Sequence, residues 1–166
     1  MSDLGPVQQF LGIQVVRNRP KRILQIHQRP YIESVLRKFQ MEACNGVSTP
    51  MEPNLQLQIN ESEATSENRL LYQQAIGKVI YAILGTRSDL AFTVSVLSSF
   101  CSNPSPRHAI AVQRLLRYLR KTTSLGITYS GTQEPKLLGY TDSDWAGNLD
   151  TRKSTSGYLF TLFGGA

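Results

Sequence analysis

Apolar and polar positions divide the first part of the chain into a hairpin and a helix. Two strand-like runs, "FLGIQVV" and "RILQI", flank "RNRPK", whose Asn and Pro are typical of a turn. The pattern therefore predicts a β-hairpin from Phe10 to Ile26. The stretch "PYIESVLRKF" then places apolar residues at helical spacing after Pro30, which suits the first turn of a helix, so a short amphipathic helix is expected.

The middle of the chain has the pattern of a polar linker followed by two helices. Residues 46–68 contain two prolines and little periodicity, which predicts a linker that crosses the surface. The stretch "ENRLLYQQAIGKVIYAIL" predicts a buried helix, in which Gly77 serves helix packing or lets a backbone or ligand come close. "DLAFTVSVLSSF" continues as a second helix, although its β-branched residues keep a strand open.

The stretch "RHAIAVQRLLRYLRK" has the clearest helical pattern in the chain. Its apolar residues fall on one side, which predicts a face against the core. The other side carries four cations. They form either a solvated face or a row of phosphate contacts: Arg107, Arg114, Arg117 and Lys121.

From Leu125 onward the period changes to two. "LGITYS", "KLLGYTD" and "SGYLFTLF", separated by Gly and polar residues, predict successive antiparallel strands at the start of a sheet. Because the chain stops at Ala166, a mixed domain begun by these strands is expected to be incomplete without another chain. An open sheet edge and exposed apolar side chains would then favour self-association.

The distribution of charge along the chain favours a polyanionic partner. The 166 residues carry a net charge of +6, and the basic residues lie in two blocks. Residues 17–38 contain seven bases and one acid, and residues 69–136 contain nine bases and two acids, whereas residues 42–67 contain five acids and no Lys or Arg. Segregated basic blocks favour nucleic acid modestly.

Cysteine usage and hydropathy exclude several classes. The two cysteines, Cys44 and Cys101, lie far apart in the sequence, which supports neither a zinc knuckle nor a disulfide framework. The first residues lack the pattern of a secretory signal, and no apolar run approaches about 18 residues. An intracellular protein without membrane contact is expected.

The stretch "GYTDSDWAGNLDTRKSTSGYLF", Gly139 to Phe160, places two aspartates beside the only tryptophan. Converging carboxylates hold the metal ions of hydrolytic sites. The same residues also suit an acidic surface turn between two strands. The pattern alone leaves both interpretations open.

Several segments together resemble one family. "QFLGIQV", "QRPYIESVLRKF", "STPM", "YQQAIGKVIYAILGTRSDLAF", "AVQRLLRYLRKT", "LGITYS" and the stretch from Gly139 to Phe160 resemble the Pol polyprotein of copia-type LTR retrotransposons, from the end of reverse transcriptase into ribonuclease H. Ser88 departs from this pattern, since the family usually has proline there. The resemblance implies an α+β fold in which a basic hairpin and a helical thumb-like segment precede the first strands of a truncated ribonuclease H-like domain.

The resemblance also implies a division of the chain and a role for several residues. The expected segments are a reverse transcriptase hairpin and helix at 1–45, a linker at 46–68, a thumb or connection segment at 69–123 and ribonuclease H strands at 124–166. The turn at Phe10, Leu11 and Gly12 matches the hairpin that holds the primer terminus. Residues 73–84 match a thumb helix along the duplex minor groove, where Gly77 would allow close approach. The polymerase aspartates of the family lie upstream, so polymerisation by this chain alone is not expected.

For ribonuclease H, the resemblance implies that Asp142 is the first metal-binding carboxylate at the end of the first strand. Asp144 is the second candidate and Asp150 a poor third. The remaining carboxylates of the family would fall beyond Ala166, which leaves Asp142 orphaned. Mg²⁺ or Mn²⁺ is therefore expected to bind weakly if at all.

Three hypotheses remain. The first is a reverse transcriptase and ribonuclease H fragment that binds RNA/DNA or DNA duplexes without sequence preference, is inactive alone, and has the remainder of Pol as a partner. The second is a nuclease completed by a partner chain. The third is an interaction or secreted effector protein, because Arg117 to Arg120 spell an RxLR pattern. Under the first hypothesis, the residues expected to contact nucleic acid are Phe10, Leu11, Gly12, Arg17, Arg19, Lys21, Arg22, Gly77, Lys78, Arg107, Arg114, Arg117 and Lys121.

Overall fold

The computed structural model describes residues 5–145, 147, 150 and 152–166. Within them, four α-helices and two small antiparallel sheets form a mixed α+β fold. The first sheet has the order β1-β2-β3-β4. Its strands are β1 (Gln9–Phe10), β2 (Ile13–Asn18), β3 (Ile23–His27) and β4 (Gly126–Ser130).

The predicted hairpin is confirmed as β2 and β3. Its register pairs Asn18 with Ile23, and the turn between them is closed locally. The backbone N–H of Lys21 donates to Oδ1 of Asn18 at 3.0 Å, and that of Arg22 donates to the carbonyl of Arg19 at 3.0 Å. Asn18 therefore holds the turn, as residues of this type often do.

The helical predictions are also confirmed. The helices are α1 (Arg29–Lys38), α2 (Ser66–Gly85), α3 (Ala91–Ser98), which follows a short 3-10 helix (Ser88–Leu90), and α4 (Pro106–Lys121). Side chains cap the N-termini of two helices. Thr65 accepts from the N–H of Asn68 at the start of α2, and Ser105 and His108 form a reciprocal capping box at the start of α4. The β-branched stretch at 91–98 is a helix because its apolar residues Val94 and Leu97 face the core.

The core lies between the four helices. Ile32 of α1, Leu97 of α3 and Leu115 of α4 are fully buried, and the hydroxyl of Tyr72 in α2 donates to the carbonyl of Leu97 at 2.7 Å. The predicted apolar side of α4 faces this core. Among the described residues, no helix has both the length and the apolar character needed to cross a membrane.

The linker between α1 and α2 contributes to the core as well as to the surface. Leu57 is only 8% exposed and belongs to the hydrophobic cluster. The side-chain amide of Asn103 donates to the carbonyls of Asn60 and Ser62, both at 3.0 Å. The linker is thus hydrogen-bonded to the loop between α3 and α4, and Leu57 packs into the core.

Strand pairing after Leu125 differs from the expected single run. β4 joins β3, with Ile127 opposite Ile26, whereas β5 (Leu138–Ser143) and β6 (Ser156–Thr161) pair only with each other among the described strands. A Cβ on Gly126 would overlap the carbonyl oxygen of Ile26, so glycine permits this close approach to β3. The expectation that "LGITYS" pairs with the following strands is therefore wrong. The ribonuclease H-like assignment and the segment boundaries stay predictions.

Candidate nucleic-acid interface

The turn between β1 and β2 carries Phe10, Leu11 and Gly12. Leu11 and Gly12 both have positive φ, 47° and 74°, as a two-residue hairpin turn of the primed type requires. The side chains of Phe10 and Leu11 are 65% and 71% exposed. The hydroxyl of Tyr81 in α2 donates to the carbonyl of Leu11 at 2.8 Å, which brings the turn against α2.

The exposed face of α2 beside this turn is open. A Cβ added at Gly77 would meet no atom within 4 Å, so Gly77 does not serve helix packing. Gly77 and Lys78 line a shallow depression together with Tyr31, Gln74 and Tyr81. The predicted turn residues and the predicted helix residues therefore lie side by side.

Two of the residues that line this depression, Tyr31 and Tyr81, contact each other. The rings of Tyr31 and Tyr81 meet edge to face with centroids 4.7 Å apart. The Tyr31 hydroxyl donates to the carbonyl of Lys78 at 2.8 Å. Two causes raise the pKa of Tyr31: burial is the larger, and the electrostatic effect of the neighbouring Tyr81 is the smaller. The Tyr31 hydroxyl therefore stays protonated and remains a donor. Sequence reasoning missed both tyrosines, although Tyr81 follows Gly77 by four residues and thus shares its face.

The basic turn, Arg19 to Arg22, and the adjacent Arg17 form a second cationic surface. Their side chains enter no ion pair within the described part of the chain. Arg17, Arg19 and Arg22 line a pocket with Tyr129 of β4 and Phe163. The N–H of Gly131 donates to the carbonyl of Arg22 at 2.7 Å, which fixes the turn beside β4.

Two of the predicted cations on α4 already have protein partners. Arg114 forms an ion pair with Glu52 at 3.0 Å and donates to Oγ1 of Thr49 at 2.9 Å. Arg117 donates from Nε to the carbonyl of Asn45 at 2.7 Å. A Cβ on Gly46 would lie 2.7 Å from that of Lys121. Residues 42–52, which we name the acidic strap, therefore cover this part of α4.

The RxLR pattern lies within the same contact. Arg117 and Arg120 both donate to carbonyls of the strap, those of Asn45 and Glu42, and Leu119 is 1% exposed. All three specified positions of the pattern thus have structural roles. Helical spacing explains why the two arginines, three residues apart, reach the same strap.

The two candidate metal ligands are exposed and form local hydrogen bonds. Oδ1 of Asp142, on β5, accepts from the N–H of Ser143 at 2.9 Å, and Oδ1 of Asp144 accepts from the N–H of Thr155. Within the described residues, no cluster of three or more His, Cys, Asp or Glu side chains is present. Parts of the surrounding loop, residues 146, 148, 149 and 151, lie outside the described residues. The two carboxylates alone do not fit a two-metal site, which needs several converging ligands.

Comparison with known proteins identifies the family. The family model described as reverse transcriptase (RNA-dependent DNA polymerase) matches residues 1–53. A retrovirus-related Pol polyprotein from a tobacco (Nicotiana tabacum) transposon is 45% identical over 100% of this chain, which spans 13% of that protein. The chain belongs to the copia-type retrotransposon Pol family. The predicted resemblance is thereby confirmed.

Two further relatives match all or part of this chain. An uncharacterized mitochondrial protein of Arabidopsis thaliana is 32% identical over 98% of this chain and 65% of its own length. A protein of Plasmopara viticola named as a secreted RxLR effector is 49% identical over 57% of this chain and 66% of its own length. No solved structure matches this Pol chain.

Proposed function

We propose that this Pol chain binds the backbones of RNA/DNA or DNA duplexes without base preference and has no turnover by itself. One observation carries the proposal: the turn at Leu11 is hydrogen-bonded to α2 directly beside Gly77 and Lys78. This bond supports a binding surface that includes both the hairpin turn and the helix face. In a Pol chain, this surface would hold the primer terminus and follow the minor groove.

The chemistry of the turn and helix surface suits a duplex backbone. At Gly77 nothing projects from the helix, so a sugar-phosphate backbone could approach closely. Lys78 supplies a cation for a phosphate, and Gln74 supplies amide groups for hydrogen bonds. The exposed apolar side chains of Phe10 and Leu11 suit contact with the sugar or with a terminal base pair.

The basic turn supplies the electrostatic part of the proposed binding. Arg17, Arg19, Lys21 and Arg22 have no anionic partner within the described residues. On α4, Arg107 and Lys121 likewise form no ion pair there and stay in the proposed surface. Arg114 and Arg117 would have to exchange their bonds to the acidic strap for phosphate, which lowers their expected contribution.

The proposed absence of turnover follows from the small number of carboxylates at the candidate metal site. Asp142 and Asp144 supply two exposed carboxylates, each with one oxygen already accepting a backbone hydrogen bond. Mg²⁺ or Mn²⁺ bound there would act as a Lewis acid for phosphodiester hydrolysis only in a more complete ligand set. We infer that further ligands come from the remainder of a Pol polyprotein or from another chain.

Salt dependence of duplex binding tests the proposal. Affinity for a short RNA/DNA hybrid should fall at least about tenfold between about 50 and 200 mM salt, because phosphate contacts release counterions. Replacing Arg17, Arg19, Lys21 and Arg22 by Gln should flatten the logarithmic salt slope by up to about 0.9 for each phosphate that is no longer neutralised. Replacing Arg114 and Arg117 by Gln is the matched control and should change the slope less. An affinity for the hybrid that changes neither with salt concentration nor in the turn variant would contradict the proposal.

A second candidate function is a protein-interaction role, which the similarity to the Plasmopara viticola protein favours. The structure of the RxLR pattern counts against this candidate, because its two arginines are hydrogen-bonded to the acidic strap and its leucine is buried, so the pattern is not free to bind a partner. Secretion of the chain with its own N-terminus would support this candidate. Retention in the cell, together with salt-dependent duplex binding, would favour the first.

A further inference from the structure

The hydroxyl of Tyr81 in α2 donates to the carbonyl of Leu11 and so joins the β1–β2 turn to the helices. We propose that Tyr81 is a positioning residue that holds this turn in register with the Gly77 face of α2, so that duplexes meet a preformed surface. The proposal rests on the proposed duplex binding. It adds a role for a residue that the sequence pattern did not single out.

The turn needs such an anchor because few other contacts hold it within the described part of the chain. β1 has only two residues, and among the described residues its backbone pairing with β2 is extended by one bond, from the N–H of Val15 to the carbonyl of Gln8. Leu11 adopts φ 47°, a left-handed conformation that costs a non-glycine residue about 1 kcal/mol. Phe10 and Leu11 are 65% and 71% exposed, so their side chains add little packing.

Tyr81 is suited to anchor the turn because its own ring is held from behind. The rings of Tyr81 and Tyr31 pack edge to face with their centroids 4.7 Å apart, and the Tyr31 hydroxyl donates to the carbonyl of Lys78 in α2. The contact therefore links the turn, α1 and α2 through two tyrosines. Because the Tyr81 ring already packs against Tyr31, its hydroxyl can hold the Leu11 carbonyl at a smaller cost in side-chain entropy than a long flexible side chain would have.

The consequence for binding is preorganisation. A loose turn would have to be ordered when the duplex binds, which lowers affinity without removing any direct contact. Tyr81→Phe removes only the hydroxyl and keeps the ring against Tyr31. We expect it to weaken duplex binding by about three- to tenfold, the range expected for removal of one hydrogen bond.

Two readouts on the same variant test the proposal. In hydrogen exchange, Tyr81→Phe should raise the exchange of the amides at Gly12 and Ile13 and leave those of α4 unchanged. Affinity for the RNA/DNA hybrid should fall in parallel. Tyr140→Phe, which removes the hydroxyl of an exposed tyrosine on β5, is the matched control and should change neither quantity.

Each other outcome has a defined meaning. Faster exchange with unchanged affinity would overturn the positioning role, because a loose turn would then bind equally well. Weaker binding with unchanged exchange would also overturn it, since the hydroxyl would then act on the duplex directly. If the unaltered chain binds no duplex, the proposed function fails, and unchanged exchange in Tyr81→Phe would separately show that the anchor does not exist.

Discussion

The guanidinium of Arg87 is fully buried and meets the carboxylate of Asp89 through two hydrogen bonds, 2.9 Å from Nε to Oδ1 and 2.8 Å from Nη2 to Oδ2. Its remaining donors reach Thr122, at the end of α4, through the carbonyl at 3.1 Å and Oγ1 at 2.8 Å. The Tyr118 hydroxyl donates to Asp89 at 2.9 Å. This network fastens the 3-10 helix to the C-terminal end of α4.

Replacing Asp89 by Asn should destabilise the fold strongly. The change leaves the buried Arg87 without its counter-charge, and breaking a buried ion pair in this way costs about 3–5 kcal/mol. Because Asp89 is partly exposed, we expect about 2–4 kcal/mol, measured as the free energy of unfolding in urea. Glu33→Gln breaks the exposed pair with Arg29 and should cost under about 0.5 kcal/mol. Similar values for the two variants would contradict the structural role.

Arg87 and Asp89 are near neighbours in the sequence, but Thr122 lies 35 residues from Arg87 and Tyr118 lies 29 residues from Asp89, so the sequence did not reveal this network. Nothing in the local sequence around Arg87 shows that its side chain will meet Thr122. The same holds for α4, where periodicity correctly separates the apolar side from the cations. Periodicity could not show that Arg114 faces Glu52, 62 residues earlier. Which cations remain available to a ligand is therefore a tertiary property.

Local patterns succeeded where local physics decides the structure. The β2–β3 hairpin and the helices follow from turn residues and apolar spacing, and both are confirmed. The partner of β4 was missed, since alternation predicts that a strand forms but not which strand it pairs with. Gly126 was the available signal, because only glycine allows the contact with Ile26. At the candidate site, the turn and Gly77 were predicted, whereas the tyrosines between them were not.

Stability should fall as the pH drops below about 6.5 because of His108. Burial lowers the pKa of this side chain, and its Nδ1 accepts from the N–H of Ser105 at 2.9 Å, so the folded protein favours the neutral ring. The unfolded chain binds a proton at a higher pH than the folded chain does. The stability present above the unfolded pKa is therefore lost progressively as the pH falls towards the folded pKa, by up to about 1.4 kcal/mol per pH unit.

His108→Gln removes this titration while keeping a capping-box residue at the same helix position. Urea unfolding at about pH 7.5 and 5.5 should show a smaller loss for the variant than for the unaltered chain. His27→Gln, which replaces the other histidine, is the control and should retain the larger loss. An identical pH dependence in His108→Gln would rule out His108 as its source.

Arg114→Gln should loosen the acidic strap. The change removes the ion pair with Glu52 and weakens the contact with Thr49, while the helix keeps a residue of good helix propensity. We expect a loss of about 1 kcal/mol in unfolding free energy and faster proteolysis within residues 42–52. Arg107, on the same helix, forms no ion pair among the described residues. Arg107→Gln is therefore the control and should leave cleavage of the strap unchanged. Equal cleavage rates in both variants would contradict this role.

The β5–β6 hairpin should promote self-association. An isolated two-stranded hairpin is marginally stable in water, and this one exposes aromatic residues on both faces, with Tyr140 57%, Tyr158 81% and Phe160 56% exposed. Light scattering at micromolar concentrations should detect dimers or larger species. Tyr158→Thr with Phe160→Thr should reduce association while preserving strand propensity. Phe92→Ser, at an exposed aromatic on α3, should not. A stable monomer of the unaltered chain would refute the prediction.

Magnesium should bind near Asp142 only weakly, and the chain alone should not cleave an RNA/DNA hybrid. Mg²⁺ prefers near-octahedral geometry and keeps most of its waters, and the site offers two exposed carboxylates, each already holding one backbone hydrogen bond. We expect a dissociation constant in the millimolar range. Trp145, 94% exposed and adjacent to Asp144, provides a fluorescence reporter for the titration.

Asp142→Asn separates weak binding at this site from a contaminating nuclease. The variant should lose the small Mg²⁺-dependent change in Trp145 fluorescence, and neither protein should cleave the hybrid with Mg²⁺ or Mn²⁺. Activity should return when the downstream Pol sequence is joined to the unaltered chain, because later carboxylates would complete the ligand set. Metal-dependent cleavage by the unaltered chain that disappears in Asp142→Asn would overturn the expectation. The metal ions would then need further ligands from a second copy of the chain.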